Sequence, residues 1–420
     1  MPAPIRVGPD ACPGVFAVHD AADGALARIR LPGGVIGAAQ LRTLADCAED
    51  LADGAVHLTS RGNLQLRGLD RDDPGLIRRL STAGLLPSPA HERVRNVLAS
   101  PLSGIHGGLA DVRGLAAALD AALCARPGLA ALPGRFLFAL DDGRGDVAAE
   151  APDLCWRASD PTVGALLVAG ADTGLRVPIG DAVDLLLAAA EAFLLVRGPG
   201  RGMGGPAWRT YEIPDAAARI AAVLSRPGAP AGPDLPDHDQ RLGGANLGER
   251  GGRLPNDDHG GGGAERATVG RIGTGPALGV APRLGELSAA GLRLLADLAP
   301  TVLVTPWRTL VLAEPAEEAA TALAAAGLIV EPDDPALGVS ACAGRPGCAK
   351  ALADVRADAR ALLAAGALPR AVRIHLAGCE RRCGAPHGPH TDVVATANGY
   401  RVDGTPVPVA VLGTTLGGAP

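Results

Sequence analysis

Hydrophobic and polar positions alternate from Ala25 to Leu31, which predicts a strand with Arg28 and Arg30 on one face and Ile29 and Leu31 on the other. Pro32-Gly33-Gly34 ends it. Leu41, Leu44, Ala45, Ala48 and Leu51 follow at helical spacing. Residues 55–69 then read as two short strands turning near Gly62-Asn63, and a second helix is predicted from Pro74 to Ala83. If the first of these strands stays regular, His57, Thr59 and Arg61 share a face. Strand, helix, hairpin and helix make a split α/β unit on one sheet.

The same pattern returns about 250 residues later, far beyond the period of a solenoid repeat. LRTLADCAED at 41–50 is echoed by LRLLADLAPT at 292–301, LTSRGNLQLRGL at 58–69 by VTPWRTLVLAEP at 304–315, and LSTAGLL at 80–86 by LAAAGLI at 323–329. ADVRGLAAAL at 110–119 is echoed by ADVRADARAL at 353–362. Order and spacing are kept, so two similar halves are expected. They meet in residues 226–267, whose Gly, Pro and Asp density reads as a linker or long surface loop.

Composition bounds the possibilities. A chain of 420 residues has room for several domains with an ample core. Its 58 glycines and 36 prolines stay short of the roughly 25–30% that marks disordered sequence. Aromatic residues are 2% of the chain, so the core must be built of Ala, Leu and Val, and broad base-stacking surfaces are not expected. The net charge of −6 provides no field toward nucleic acid or anionic membranes. Positive charge is almost wholly arginine, with Lys350 the single lysine. The N-terminus shows no secretory h-region. The longest apolar run, 185–196, is too short to span a bilayer and contains Glu191. A cytoplasmic, reducing location is the expectation.

In such a compartment clustered thiols are metal ligands or catalysts more often than disulfides. Of eight cysteines, Cys12, Cys47, Cys124 and Cys155 are scattered and read as bystanders. Cys342, Cys348, Cys379 and Cys383 crowd into one segment, with five residues inside the first pair, three inside the second and thirty between the pairs. Four thiolates suit a [4Fe–4S] cluster, one sulfur per iron. Zinc pairs are usually spaced two to four residues apart and fit the five-residue gap less well; free thiols are the third reading. Gly344, Gly347 and Gly378 flank the ligands and allow close backbone approach. His375, in the apolar strand before Cys379, reads first as a satisfied structural side chain and second as a ligand. His387 and His390, in the Gly/Pro loop after Cys383, are either further ligands or solvated.

The cysteine pattern and the repeat together resemble the nitrite and sulfite reductase superfamily, on RIRLPGGVIGAAQL at 28–41 and HLTSRGNLQLRGL at 57–69. RVRNVLASPLSGIH at 93–106, LPGRFLFALDDG at 132–143, TPWRTLVL at 305–312 and the HLAGCERRCGAPH segment are similar to the precorrin-3B synthase branch. The resemblance implies an α+β, internally duplicated fold. Its expected parts are a ferredoxin-like half-domain at 1–70, a tetrapyrrole-binding lobe without cluster cysteines at 71–225, a linker at 226–268, a second half-domain at 269–332 and a [4Fe–4S] lobe at 333–420.

It also implies that Cys342, Cys348, Cys379 and Cys383 hold the cluster, and that Arg28, Arg30, Arg61, Arg95 and Arg135 bind tetrapyrrole carboxylates, for which guanidinium is a two-pronged donor. The implied reaction is oxygen-dependent hydroxylation of precorrin-3A at C-20 with γ-lactone formation, in aerobic cobalamin biosynthesis. Oxygen activation needs a second iron centre, either mononuclear non-haem iron or sirohaem, and no two-His-one-carboxylate set is evident in the sequence. No dinucleotide fingerprint follows a strand, so electrons from NADH are expected through a ferredoxin or flavoprotein reductase.

Two departures stand out. The reductases carry a second anion-binding lysine where this chain has Leu137, and the segment between the last two cysteines is Glu380-Arg381-Arg382 rather than small and lysine-bearing. A sirohaem-dependent sulfite or nitrite reductase, with the last cysteine bridging cluster and haem iron, is the alternative enzyme. A non-catalytic iron–sulfur carrier or tetrapyrrole-binding protein is the alternative of another class.

Overall fold

The structure is a computed structural model, and it describes residues 12–198, 206–226, 267–366, 368, 372–386 and 388–417. The expected linker falls almost wholly outside these residues. The chain divides into two compact units. One contains residues 96–226, the other residues 12–95 together with 267–417.

The second unit begins with β1 (His19–Ala21), β2 (Gly24–Ile29), β3 (Val35–Gly37), α1 (Ala38–Leu51), β4 (Ala55–Leu58), β5 (Leu64–Leu69) and α2 (Gly75–Thr82). The alternation from Ala25 forms β2 as expected: Ile29 and Leu31 are buried beneath α1, with Arg28 and Arg30 on the other face. The expected turn is present, with Gly62 at φ 60°. The strand before it stops at Leu58, because the Thr59 hydroxyl takes the N–H groups of Arg61 (3.4 Å) and Asn63 (3.2 Å) and closes the turn. His57 is left on the strand with Asp53, at 3.0 Å, and is separated from Thr59 and Arg61.

The other unit holds β6 (Val97–Ala99), α3 (Arg113–Cys124), β7 (Phe138–Asp141), β8 (Leu154–Ala158), β9 (Val163–Val168), β10 (Ala171–Pro178), α4 (Ala182–Val196) and α5 (Ala216–Leu224). Its sheet runs β10-β9-β8-β7-β6, with β6, β7 and β8 parallel. The apolar run at 185–196 becomes α4, a buried core helix. Among the described residues no helix is long and apolar enough to cross a membrane.

The chain then repeats itself. β11 (Gly270–Arg271), β12 (Leu278–Val280), β13 (Glu286–Ser288), α6 (Ala289–Leu298), β14 (Thr301–Val304), β15 (Leu310–Leu312) and α7 (Ala319–Ala325) rebuild the first half-domain. β16 (Val339–Ala341), α8 (Val355–Ala364), β17 (Ile374–Ala377), β18 (Thr391–Thr396), β19 (Gly399–Val402), β20 (Thr405–Val407) and α9 (Leu412–Gly417) rebuild the lobe, with sheet order β16-β17-β18-β19-β20. The sequence echoes fall on equivalent elements: α1 with α6, the hairpin turns with each other, α3 with α8.

The half-domains exchange strands. β3 pairs with β14 and β13 with β4, giving sheets ordered β1-β2-β5-β4-β13 and β11-β12-β15-β14-β3. α1 and α6 pack together over one continuous core of Leu, Ala and Val, in which Ile36, Leu44, Leu292 and Val302 have no exposed surface. α2 packs on α1, so residues up to 95 belong with this unit and not with the lobe that follows. Each half-domain completes the other's sheet. Cutting the chain once between 227 and 266 is therefore expected to leave two fragments that co-elute on size exclusion and part only in denaturant; separation in plain buffer would show the exchanged strands to be dispensable.

Candidate functional site

The four clustered thiols arise from the parallel part of the last sheet. β16, β17 and β18 run parallel, and Cys342 leaves the C-terminal end of β16 with its N–H still bonded to Leu376 O at 3.0 Å. Cys379 follows β17, and the chain turns back at Arg382, at φ 48°, to place Cys383. Both pairs thus lie beyond the C-terminal ends of neighbouring parallel strands, where open α/β sheets place their ligands. All four cysteines are free, Cys383 being exposed and the others half-buried.

Glycines bring the two loops together. A Cβ on Gly378 would lie 2.7 Å from the Ala351 Cβ, and one on Gly344 would lie 2.8 Å from Val355 Cγ2. Gly378 donates its N–H to Cys342 Sγ at 3.1 Å, which ties the two loops directly. Burial pushes the Cys383 thiol up, and proximity to Cys342, Cys379 and Cys348 pushes it further. Among the described residues no three of the thiols lie within 4.8 Å of one another. Tetrahedral zinc with bonds of about 2.3 Å would hold its sulfurs roughly 3.8 Å apart.

The first half-domain anchors this loop through a residue the sequence reading did not single out. Arg67, buried on β5, forks onto Asp23 with two contacts of 3.0 Å and donates to Gly347 O at 2.7 Å. A Cβ on Gly347 would meet Arg67 and Asp23 at 2.9 and 2.8 Å, so a side chain beside Cys348 would have to push the ends of both aside. The partners are 280 residues apart and no local pattern announces them.

His375, on β17, has no exposed surface. Ser340 Oγ lies 2.9 Å from its Nδ1, but its Nε2 is buried without a partner, so the expected satisfied histidine is only half satisfied. Burial, then Arg308 and His390, lower its pKa to about 4, which keeps the ring neutral. The His390 ring lies edge-on to it, 6.3 Å between centroids. His387 lies outside the described residues. Glu380 and Arg382 are engaged with each other (2.9 Å), and Arg382 also bonds Asp392 (2.7 Å).

The arginines of the first half-domain form a second feature of this unit. Arg28 reaches Gln65 at 3.5 Å and Cys12 Sγ at 3.7 Å. Arg30 is 1% exposed; its Nη2 contacts Cys12 Sγ at 3.6 Å, Pro13 O at 3.2 Å and Arg93 O at 3.3 Å. Its Nε and Nη1 are buried without partners. Burial and the neighbouring Arg28 lower its pKa to about 10, and Arg61 is close enough to add to that effect. Arg95 is also buried and donates to Leu85 O at 3.3 Å. Buried Glu92, whose carboxyl is pushed up by burial and drawn down by Arg30, Arg93 and Arg95, is the counter-charge that sequence reading missed. Cys12 proves to be no bystander in placement, since it faces two guanidiniums. Cys47 behaves as expected of a buried thiol, pushed up to about 11 by burial.

Arg135 belongs to the other unit, where its guanidinium lies 5.5 Å from the Trp208 ring. Leu137 is core, packed with Leu98, Ala139, Val147 and Cys155. In this lobe Ser100 occupies the position of Cys342: its N–H bonds Leu140 O at 3.0 Å and its Oγ takes the Asp142 N–H at 3.1 Å. The loop after β7 carries Asp141, Asp142 and Asp146 instead, whose bonds to Gly143, Gly145, Ala148, Arg144 and Ser100 shape it. Burial and Asp141 raise the pKa of Asp146 to about 7. The folded state therefore holds a proton that the unfolded chain releases near pH 4. Stability supplied by this group is present below about pH 4 and is lost up to about pH 7, by at most about 1.4 kcal/mol per pH unit. Asp146→Asn is expected to flatten that part of the profile, read as the urea midpoint against pH; identical profiles would contradict it.

Comparison with known proteins agrees with this architecture. Residues 19–80 match the nitrite/sulfite reductase ferredoxin-like half domain. A ferredoxin–nitrite reductase of Synechococcus elongatus is 29% identical over 412 residues, covering 86% of this chain and 74% of that protein. A precorrin-3B synthase from Sinorhizobium sp. is 27% identical over 404 residues, covering 93% and 81%. The structure of the Mycobacterium tuberculosis NirA protein has the same fold, with a TM-score of 0.65 at 22% identity over 90% of this chain and 74% of that one. The motifs at 28–41 and 57–69 fall inside the matched half-domain, and the superfamily resemblance drawn from them stands.

Proposed function

We propose that this chain is a precorrin-3B synthase: an oxidoreductase that hydroxylates precorrin-3A at C-20 with dioxygen while the ring A acetate closes a γ-lactone. One oxygen atom goes to the macrocycle and the other leaves as water, with two electrons and two protons from a donor protein, a ferredoxin or flavoprotein reductase drawing on NADH. The observation that carries the reading is Arg30, fully buried with two N–H-bearing nitrogens unpartnered beside Arg28 and Arg61. A buried guanidinium without partners is costly, and a carboxylate is its natural complement. A precorrin presents a rim of acetates and propionates.

Under this reading Arg28, Arg30, Arg61 and Arg95 grip and orient the macrocycle, with Glu92 limiting their mutual repulsion. Cys342, Cys348, Cys379 and Cys383 hold a [4Fe–4S] cluster in the lobe over 333–420. When bound, that cluster supplies electrons one at a time. The Gly378 N–H on Cys342 Sγ would orient that ligand. The Arg67–Gly347 bond holds the Cys348 loop in place.

The 29% identity to a nitrite reductase over 86% of the chain favours a second reading, a sirohaem-dependent nitrite or sulfite reductase. Leu137 opposes it, because an apolar core residue stands where those enzymes place an anion-binding lysine. Anaerobic purification followed by iron and sulfide analysis and visible and EPR spectra separates the two. Cluster iron and sulfide with extra iron and no sirohaem bands is the expected outcome; intense sirohaem bands with nitrite- or sulfite-dependent turnover would overturn it.

A further inference from the structure

We propose that Cys12 and Pro13 form a displaceable cover over the Arg28–Arg30 pair, and that the Cys12 sulfur marks the seat a ligand carboxylate takes when the cover moves aside. That the ligand is a tetrapyrrole rests on the functional reading above; the seat and its cover rest on the guanidiniums themselves.

Arg30 carries a charge that calls for acceptors, yet it is 1% exposed and a single nitrogen of its guanidinium finds any. That nitrogen, Nη2, reaches the Cys12 sulfur at 3.6 Å, Pro13 O at 3.2 Å and Arg93 O at 3.3 Å. Its Nε and Nη1 are buried with nothing to bond, as is Nε of Arg28, whose Nη1 reaches the same sulfur at 3.7 Å. Glu92, the carboxyl drawn toward these arginines, is engaged instead by the Val15 N–H at 2.9 Å. Three nitrogens on two neighbouring guanidiniums therefore lack an acceptor, and a carboxylate is the ligand that fits them. With Arg30 enclosed, such a ligand has no approach until the residues over it move.

The cover is fastened at one end by residues that stay behind. Val15 is core, 3% exposed, and held by Glu92; Gly14 O takes the backbone N–H of Arg28 at 3.3 Å. The segment lies close against its anchor: a Cβ on Gly14 would fall 2.1 Å from Glu92 Oε2 and push that carboxyl aside. Ahead of these two residues, Cys12 and Pro13 meet the arginines through a thiol sulfur and a carbonyl. A thiol sulfur is a weak acceptor, whereas a carboxylate takes two short, charge-assisted bonds from one guanidinium. Exchange of the sulfur for a carboxylate therefore strengthens the bonding of both arginines. The contact was hidden in the sequence because Arg28 and Arg30 stand 16 and 18 residues beyond Cys12.

The test uses uroporphyrin, a stable macrocycle with a rim of acetates and propionates, and N-ethylmaleimide, which alkylates accessible thiols, on the anaerobically purified, cluster-loaded protein. Peptide mass spectrometry reads the labelling rate of Cys12. Saturating uroporphyrin is expected to speed that labelling about tenfold or more, because the ligand selects the open cover, while Cys47, which has no exposed surface, stays protected. Cys12→Asp sets a carboxylate in the seat. Without ligand it is expected to melt about 2–4 °C above Cys12→Asn, and to bind uroporphyrin about tenfold or more weakly than Cys12→Asn does. Uroporphyrin bound with Cys12 labelling unchanged or slowed would overturn the displacement and leave the tetrapyrrole reading intact. Cys12→Asp melting no higher than Cys12→Asn would overturn the seat. A wild type that does not bind uroporphyrin, with Cys12→Asp still melting higher, would support the seat and refute the tetrapyrrole reading. The labelling measurement needs no variant and decides the matter if Cys12→Asp fails to fold.

Discussion

Replacing Cys342 with serine is expected to strip the protein of nearly all its cluster iron and sulfide and of the brown absorption that accompanies them. Cys342 is the ligand most firmly built into the fold, with its N–H on the β17 ladder and its sulfur already receiving the Gly378 N–H. A serine oxygen keeps the backbone bond but is a harder, poorer ligand for cluster iron. Cys124→Ser, on α3 in the other unit, is the control and should keep full iron and sulfide. Full iron in Cys342→Ser would refute the assignment of all four ligands.

Arg30→Met is expected to weaken binding of a tetracarboxylate or larger porphyrinoid by about 10- to 150-fold, the equivalent of one charge-assisted contact of about 1.5–3 kcal/mol. The same change should leave the thermal midpoint of the ligand-free protein unchanged or higher. The apolar side chain has similar volume, and the guanidinium is buried with two of its nitrogens unpaired. Arg61→Ala, at a half-buried turn residue, should also weaken binding, with no gain in midpoint. Loss of affinity without loss of stability separates a ligand-binding arginine from a structural one. Unaltered affinity in Arg30→Met would place the macrocycle elsewhere.

Local features were legible in the sequence because local rules determine them. The alternation at Ala25–Leu31, the helical spacing at Leu41–Leu51 and the turn at Gly62 each follow from residues a few positions apart. The repeat was legible because both copies kept the residues that fill equivalent core positions. The strand exchange was not. β3 and β13 are three residues each, and nothing in VIG or ELS says which half will pair with it. The Arg67–Gly347 clamp was hidden for the same reason, since its partners are 280 residues apart; Glu92 was hidden because its burial, and its approach to Arg30, depend on packing that the local pattern does not show. At the candidate site, the cysteines were visible as a spacing and Arg28 and Arg30 as a face. That His375 lacks a partner at Nε2, and that Cys12 faces two guanidiniums, depend on how strands pack, which periodicity does not encode.

The central claim, oxygen insertion into a tetrapyrrole, is tested most directly by mass spectrometry of precorrin-3A incubated with the cluster-loaded protein, an electron donor and isotopically labelled dioxygen. The expected result is a product carrying one labelled oxygen atom, formed by the wild type and absent with Cys342→Ser. Recovery of unlabelled precorrin-3A from protein that reduces nitrite or sulfite with the same donor would contradict it.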